Sequence, residues 1–196
     1  MGFAEKITKV SVHDYLTYLD SIEGRAEFYQ GVIYDMAGSS DEHALIGGNF
    51  LTELNIALRE RPYRVYGADS NLAIDLDEAV VMPDVHVVCG KNEPSEQNSR
   101  LHTNAVLVVE ILSPSTNSYD RTKKFDKYKL LSHLREYVLV EQTEYRVEVF
   151  SLNAHQIWEH QVYVDEGASI FLASLQVTIT MPQIYRKVDF VAEAED

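Results

Sequence analysis

AVLVVEIL, Ala105 to Leu112, is apolar throughout except for one carboxylate, Glu110. A run of this length closed by Ser113 and Pro114 reads as a strand covered on both faces. An ionised group on such a strand is costly to desolvate unless a cation, a metal or hydrogen-bond donors compensate it. A second carboxylate, Asp84, follows Pro83 and stands at the head of an earlier apolar run, Val85 to Cys89. Antiparallel pairing of the two runs brings the start of the first and the end of the second to one edge of the sheet, so that Asp84 meets Glu110. Alternation predicts that Val106, Val108, Glu110 and Leu112 share one face and Ala105, Leu107, Val109 and Ile111 the other.

The chain then breaks at Ser113, Pro114, Ser115 and Thr116, and a helix is expected over about Asp120 to Leu134. It should return across the sheet with its first turns near Glu110. Asp120, Lys124 and Tyr128 lie at steps of four and form one stripe, which offers the Lys124 ammonium to the carboxylate pair. Two convergent carboxylates suit a hard divalent ion such as Mg²⁺, whose other positions are filled by water and substrate phosphate. A bound water made more nucleophilic, and an ammonium that orients it or stabilises phosphoryl charge, together suit phosphodiester hydrolysis.

Upstream, Ser11 is an expected helix N-cap with Asp14 in the capping-box position, Tyr15, Leu16, Leu19 and Ile22 as the apolar stripe, and Gly24 as the stop. Glu27 to Met36 reads as a strand or hairpin turning at Gly31. In Asp41 to Arg59, residues Leu45, Ile46, Phe50, Leu51, Leu54 and Leu58 recur at helical intervals. Strands are expected at Tyr63 to Tyr66, Leu72 to Leu76, Val85 to Cys89 and Ala105 to Leu112, with a polar loop over Gly90 to Thr103. A hairpin of Tyr137 to Val140 and Tyr145 to Phe150 follows, then strands at Gln156 to Val164 and Leu175 to Thr180. Intermixed helices and strands with several hairpin-length connections define an α+β (mixed α/β) class rather than a doubly wound parallel sheet.

A chain of 196 residues without repeat, linker or low-complexity tract is read as one domain, 1–196. The net charge of −14 argues against a broad basic surface for nucleic acid. Arg121, Lys123, Lys124, Lys127 and Lys129 against Asp126 form the local exception, and a polyanion contact is expected to centre there. The acidic remainder suits divalent cations or a basic protein partner. The single cysteine, Cys89, excludes an intrachain disulfide or a multi-thiolate zinc site and is expected to be buried and inert. Met1 to Lys6 carries no signal core and no run approaches membrane-spanning length, so a soluble, cytoplasmic protein without a membrane partner is expected.

Pro83-Asp84 and Glu110 in its apolar strand resemble the PD-(D/E)XK nuclease superfamily. More closely, GRAEFYQGVIYDMAG, His43 in the second helix, MPDVHVVC, VVEILSPST and the spacing Asp120, Lys124, Tyr128 resemble the bacterial "putative restriction endonuclease" family within it, from about Ser11 to Val188. The resemblance implies a restriction endonuclease-like core, a central mixed sheet flanked by helices with additional C-terminal strands, and Mg²⁺-dependent cleavage of DNA, Mn²⁺ being the substitute ion. Leu112 stands where the superfamily lysine would follow Glu110, and the resemblance implies that this lysine has moved to Lys124. The expected site is thus Asp84 and Glu110 as metal ligands, Lys124 assisting attack, and His43 and Glu27 lining the pocket. A homodimer is expected, since cutting both strands of a duplex favours paired sites.

Each of these residues also has a plainer reading. Asp84 alone suits a turn, Glu110 and Lys124 suit a buried structural ion pair, and Lys123 and Lys127 compete with Lys124. His43 suits a helix surface, Glu27 a solvated edge strand, and Tyr128 packing against the sheet. Ser113, Ser115 and Thr116 suit caps. The competing function is a nuclease-derived module that binds nucleic acid or protein without turnover.

Overall fold

In the computed structural model, which describes residues 9–75, 78–91, 93, 100–113 and 120–190, the apolar run Ala105–Leu112 is strand β8 at the interior of a six-stranded mixed sheet. The sheet order is β11-β10-β9-β8-β6-β3, with β3 Tyr63–Gly67, β6 Val85–Cys89, β9 Glu136–Glu141, β10 Val147–Leu152 and β11 Trp158–Tyr163. β6 and β8 pair antiparallel with Val85 opposite Val109, which sets Asp84 level with Glu110. β8 and β9 are parallel, and a parallel pair requires a crossover. Helix α3 lies in that crossover. It is a widened π turn, Asp120–Lys124, followed by an α-helical turn, Phe125–Tyr128.

The two faces of the sheet bury different cores. On one face, β8 contributes Leu107, Val109 and Ile111 beneath helix α2, Asp41–Ala57, whose Ile46, Phe50 and Leu54 are fully buried. The C-terminal hairpin β12 Ser169–Leu172 with β13 Val177–Thr180, and the short helix α4 Met181–Ile184, complete that layer. On the other face Ala105, Val108 and Leu112 pack with Phe125, Tyr128, Leu131 and Leu134.

A second sheet of five strands lies beyond that face, in the order β2-β1-β5-β4-β7. Its strands are β1 Ala26–Tyr29, β2 Val32–Asp35, β4 Asn71–Asp75, β5 Ala79–Val81 and β7 Leu101–His102. Helix α1, Val12–Ser21, capped by Ser11 and Asp14 in a capping box, packs Val12, Tyr15 and Leu16 against Ala26, Phe28, Val80 and Leu101. α1 ends at Ile22, two residues ahead of the expected Gly24 stop. The mixed α+β class, the central mixed sheet and the added C-terminal strands therefore hold, and the second sheet is the addition to them.

Several expectations change. Ala105 joins the face of Val108 while Val106 packs against the opposite core, because a bulge shifts the register from Val87↔Leu107 to Val88↔Ala105. An extra residue on one strand reverses the facing of those beyond it. The third helix stops at Tyr128, and residues 129–134 continue as turns that still bury Leu131 and Leu134. Leu45 is exposed, since α2 buries the Ile46–Phe50–Leu54 stripe instead. Cys89 is exposed, not buried, because it ends β6 where the cover stops. Glu27 lies on an interior strand, β1 pairing with both β2 and β5. Pro114, Ser115, Thr116, the first residues Met1 to Lys6 and most of the loop between Gly90 and Thr103 lie outside the described residues.

The β1–β2 hairpin turns at Gln30 and Gly31, both at positive φ, +49° and +81°. Paired positive φ values match the twist of a two-residue hairpin, and glycine adopts them without penalty. A Cβ on Gly31 would also come 3.1 Å from Lys9 Cα. Gly31→Ala is therefore expected to lower unfolding free energy by about 1–2 kcal/mol, read from the midpoint of a urea melt. An unchanged midpoint would contradict this reading of the turn.

Candidate active site

The register that sets Asp84 beside Glu110 is reinforced by the backbone, for the Ile111 N–H donates to Asp84 Oδ2 at 2.8 Å. Asp84 Oδ1 lies 2.9 Å from His43 Nε2. His43 occupies the first turn of α2, where Ser40 caps the helix by accepting the His43 N–H. One turn later Gly47 lets α2 lie close on β8, since a Cβ there would come 3.2 Å from Ile111 Cδ1. That close approach carries His43 over the carboxylate.

Glu110 meets a different set. Lys124 Nζ stands 2.9 Å from Glu110 Oε1, 3.1 Å from Glu27 Oε1 and 3.8 Å from Asp120 Oδ1. The Tyr128 hydroxyl donates to Glu110 Oε1 at 2.5 Å. Asp120, Lys124 and Tyr128 thus share the sheet-facing side of α3, and all three are buried. Glu27 arrives from the second sheet, where it also accepts the Met82 N–H at 3.3 Å. The five expected residues fall into two contact sets, His43 with Asp84 and Lys124 with Glu110 and Glu27, which the β6–β8 register sets side by side and which act on each other electrostatically.

The charges are unequal. Glu27, Asp84, Glu110 and Asp120 act electrostatically on one another or on Lys124, the ammonium at their centre. Burial pushes the Glu110 carboxyl up, Lys124 opposes this, and Asp84, Asp120 and Glu27 push it further, to about 8. Burial would push the Lys124 ammonium down, but Glu110, Glu27 and Asp120 outweigh it and hold its pKa well above the ordinary lysine value. For Asp84 burial raises the pKa, yet the His43 hydrogen bond and charge, the Ile111 N–H and Lys124 together bring it below the ordinary value. Burial and the neighbouring Glu110 raise the Tyr128 phenol well above its usual range, so it remains a donor. Opposite shifts on neighbouring carboxyls occur both at functional sites and in structural ion-pair networks.

Carboxylate oxygens are the donors a hard divalent cation takes. Here they stand at neighbouring strands, and acids outnumber the cations facing them. Among the described residues no three His, Cys, Asp or Glu side chains are grouped closely enough to hold one ion. Asp84 and Glu110 would therefore supply part of the coordination sphere, with water and phosphate the rest, as magnesium prefers.

Two partners escaped the sequence reading. Arg25 Nη2 approaches Asp84 Oδ1 to 3.8 Å. Its signal was present, because Arg25 precedes Glu27 by two and extended chain puts both on one face. Tyr128 packs in the core as expected and also donates to Glu110. The basic run also proves different from its charge count. Arg121 pairs with Glu141 and Glu148, Lys129 with Asp126, Lys124 is buried, and Lys127 Nζ sits 3.3 Å from the centre of the Tyr29 ring. Most of this run serves internal contacts, so it is not a ready surface for a polyanion.

Comparison with known proteins defines the class. The model of the Uma2 family, described as "Putative restriction endonuclease", matches residues 12–182, and the chain belongs to that family. Two proteins of Synechocystis sp. strain PCC 6803 are similar along most of their length. One, sll1609, is 29% identical over 164 residues, 84% of this chain and 93% of its own. The other, slr1290, is 29% identical over 182 residues, 93% of this chain and 94% of its own. A crystal structure described as "a putative nuclease belonging to DUF820" from Anabaena variabilis superposes with a TM-score of 0.71 at 17% identity, covering 90% of this chain and 97% of that one, and shows a shared fold. Among the described residues no helix is long and apolar enough to cross a membrane.

The raised Glu110 pKa has a definite sign in stability. Between the unfolded value of 4.5 and the folded value of about 8, the folded protein binds more protons. The Glu110 contribution is therefore complete below pH 4.5 and is lost as pH rises through about 8. Urea melts of wild type should fall in midpoint between pH 5 and pH 8 relative to Glu110→Gln (~3 pH units). Parallel curves for the two proteins would contradict the shift.

Proposed function

We propose that this chain is a Mg²⁺- or Mn²⁺-dependent nuclease that hydrolyses phosphodiester bonds of DNA. The observation that carries the reading is the buried Lys124 ammonium, 2.9 Å from Glu110 and 3.1 Å from Glu27, beside an Asp84 that is level with Glu110 across two paired strands. Asp84 and Glu110 would hold the ion, and the chemistry it would supply is Lewis-acid polarisation of the phosphodiester and activation of water. His43 and the Ile111 N–H fix the Asp84 carboxylate. Tyr128 fixes Glu110 through its hydroxyl. Glu110, Glu27 and Asp120 keep Lys124 protonated, so that its ammonium orients the attacking water or meets the charge that develops on the phosphoryl oxygens. One site per chain and two strands per duplex lead to a homodimer.

A second reading, a nucleic-acid or protein-binding module without turnover, is favoured by the net charge of −14 and by the internal engagement of the basic run. A nicking assay on supercoiled, linear and single-stranded DNA with Mg²⁺ or Mn²⁺ separates the two. Cleavage is expected, reduced at least ~100-fold by Asp84→Asn, by Glu110→Gln and by Lys124→Met. Undiminished cleavage by all three variants removes the site assignment. Carboxylate-dependent metal binding without cleavage of any substrate selects the module.

A further inference from the structure

We propose that Arg25 grips a phosphodiester oxyanion of the bound strand, in the cavity that Arg25 itself lines. The ligand class rests on the nuclease reading, whereas the anion site follows from the arginine itself. Arg25 Nη2 stands 3.8 Å from Asp84 Oδ1, too far for a hydrogen bond, and that oxygen already meets His43. A second contact, from Nη2 to the Met36 thioether at 3.6 Å, uses a weak acceptor. Among the described residues the buried Nε has no hydrogen-bond partner. A guanidinium presents its N–H groups as a rigid fork matched to phosphate oxygens, and leaving a buried donor unpaired is costly. A weakly engaged guanidinium beside Asp84, its Nε without an acceptor, is therefore explained by an anion that arrives with the substrate.

The surroundings agree. Arg25 lines a cavity of about 700 Å³ together with Met36, Ser39 and Arg100. Ser39 immediately precedes the cap of α2, so the positive end of a 17-residue helix borders the same space. Glu23 and Asp69 also line the cavity. Their charges offset those of Arg25 and Arg100, which suits one gripped anionic group rather than a continuous polyanion track. Arg25 is thus a cation next to Asp84 whose contacts with the protein are weak, a 3.8 Å ion pair and a thioether hydrogen bond.

The test is fluorescence anisotropy with a labelled single-stranded oligonucleotide and the matching duplex, in EDTA so that no strand is cut. The proteins compared are wild type, Arg25→Gln, Arg25→Lys and Arg59→Gln, the last removing an equal charge at the far end of α2. Arg25→Gln should weaken binding at least ~10-fold and lower the slope of log K against log salt by about one phosphate contact. Arg25→Lys, which keeps the charge and loses the fork, should fall between, and it decides the question if Arg25→Gln fails to fold. Arg59→Gln should bind as wild type does. Equal binding by wild type and the Arg25 variants, equal loss in the Arg25 and Arg59 variants, or no binding by wild type overturns the assignment. Cleavage by wild type with Arg25-independent binding sinks the anion site and leaves the nuclease reading intact. Arg25-dependent binding without cleavage does the reverse.

Discussion

The Lys124–Glu110 contact is the interaction on which the site depends. Both groups are almost wholly buried, at 5% and 4% exposure, and they come from two elements, α3 and β8. Removing Lys124 would leave Glu110, Glu27 and Asp120 without their shared cation in a low-dielectric interior, a change of about 3–5 kcal/mol. Glu27 and Asp120 converge on the same ammonium, so the lysine ties the crossover helix to both sheets. The arrangement is more acidic than a structural ion pair requires. A simple pair would match one carboxylate with one ammonium, and this cluster presents a surplus of carboxylate.

Topology explains how the surplus is maintained. The antiparallel β6–β8 pair fixes Asp84 level with Glu110, and the parallel β8–β9 pair forces the chain through the crossover that holds Lys124. The π turn widens the first turn of α3 and keeps Asp120 and Lys124 inward. Widened turns of this kind recur where a helix places a functional side chain. α2 lies close enough on β8, at Gly47, to bring His43 to Asp84 from the opposite core. The cluster is thus supported by rigid elements from both faces of the sheet, the condition for holding like charges together.

Much of this was legible in the sequence because the decisive signals are local. The lone carboxylate in the apolar run AVLVVEIL, the Asp120–Lys124–Tyr128 spacing and the capped stripes of α1 and α2 each mark position as well as element type. The less legible parts have physical causes. β5 and β7 have three and two residues, too few to show a period, so the second sheet went unseen. The bulge at Val106 is a register shift between strands, and neither strand alone records it. The early end of α3 follows from packing, since Leu131 and Leu134 are buried from turns and so mimic a helical stripe. Arg25 and Tyr128 were visible as residues, but their partners lie on other elements.

The central claim is that Asp84 and Glu110 share a carboxylate excess that a divalent ion would relieve. Calorimetric titration of Mn²⁺ at pH 7, repeated in buffers of different ionisation enthalpy, tests it directly. The account predicts one ion per chain, bound with release of about one proton, and loss of that binding in both Asp84→Asn and Glu110→Gln. Binding that persists unchanged in both variants, or no binding by wild type, would contradict it.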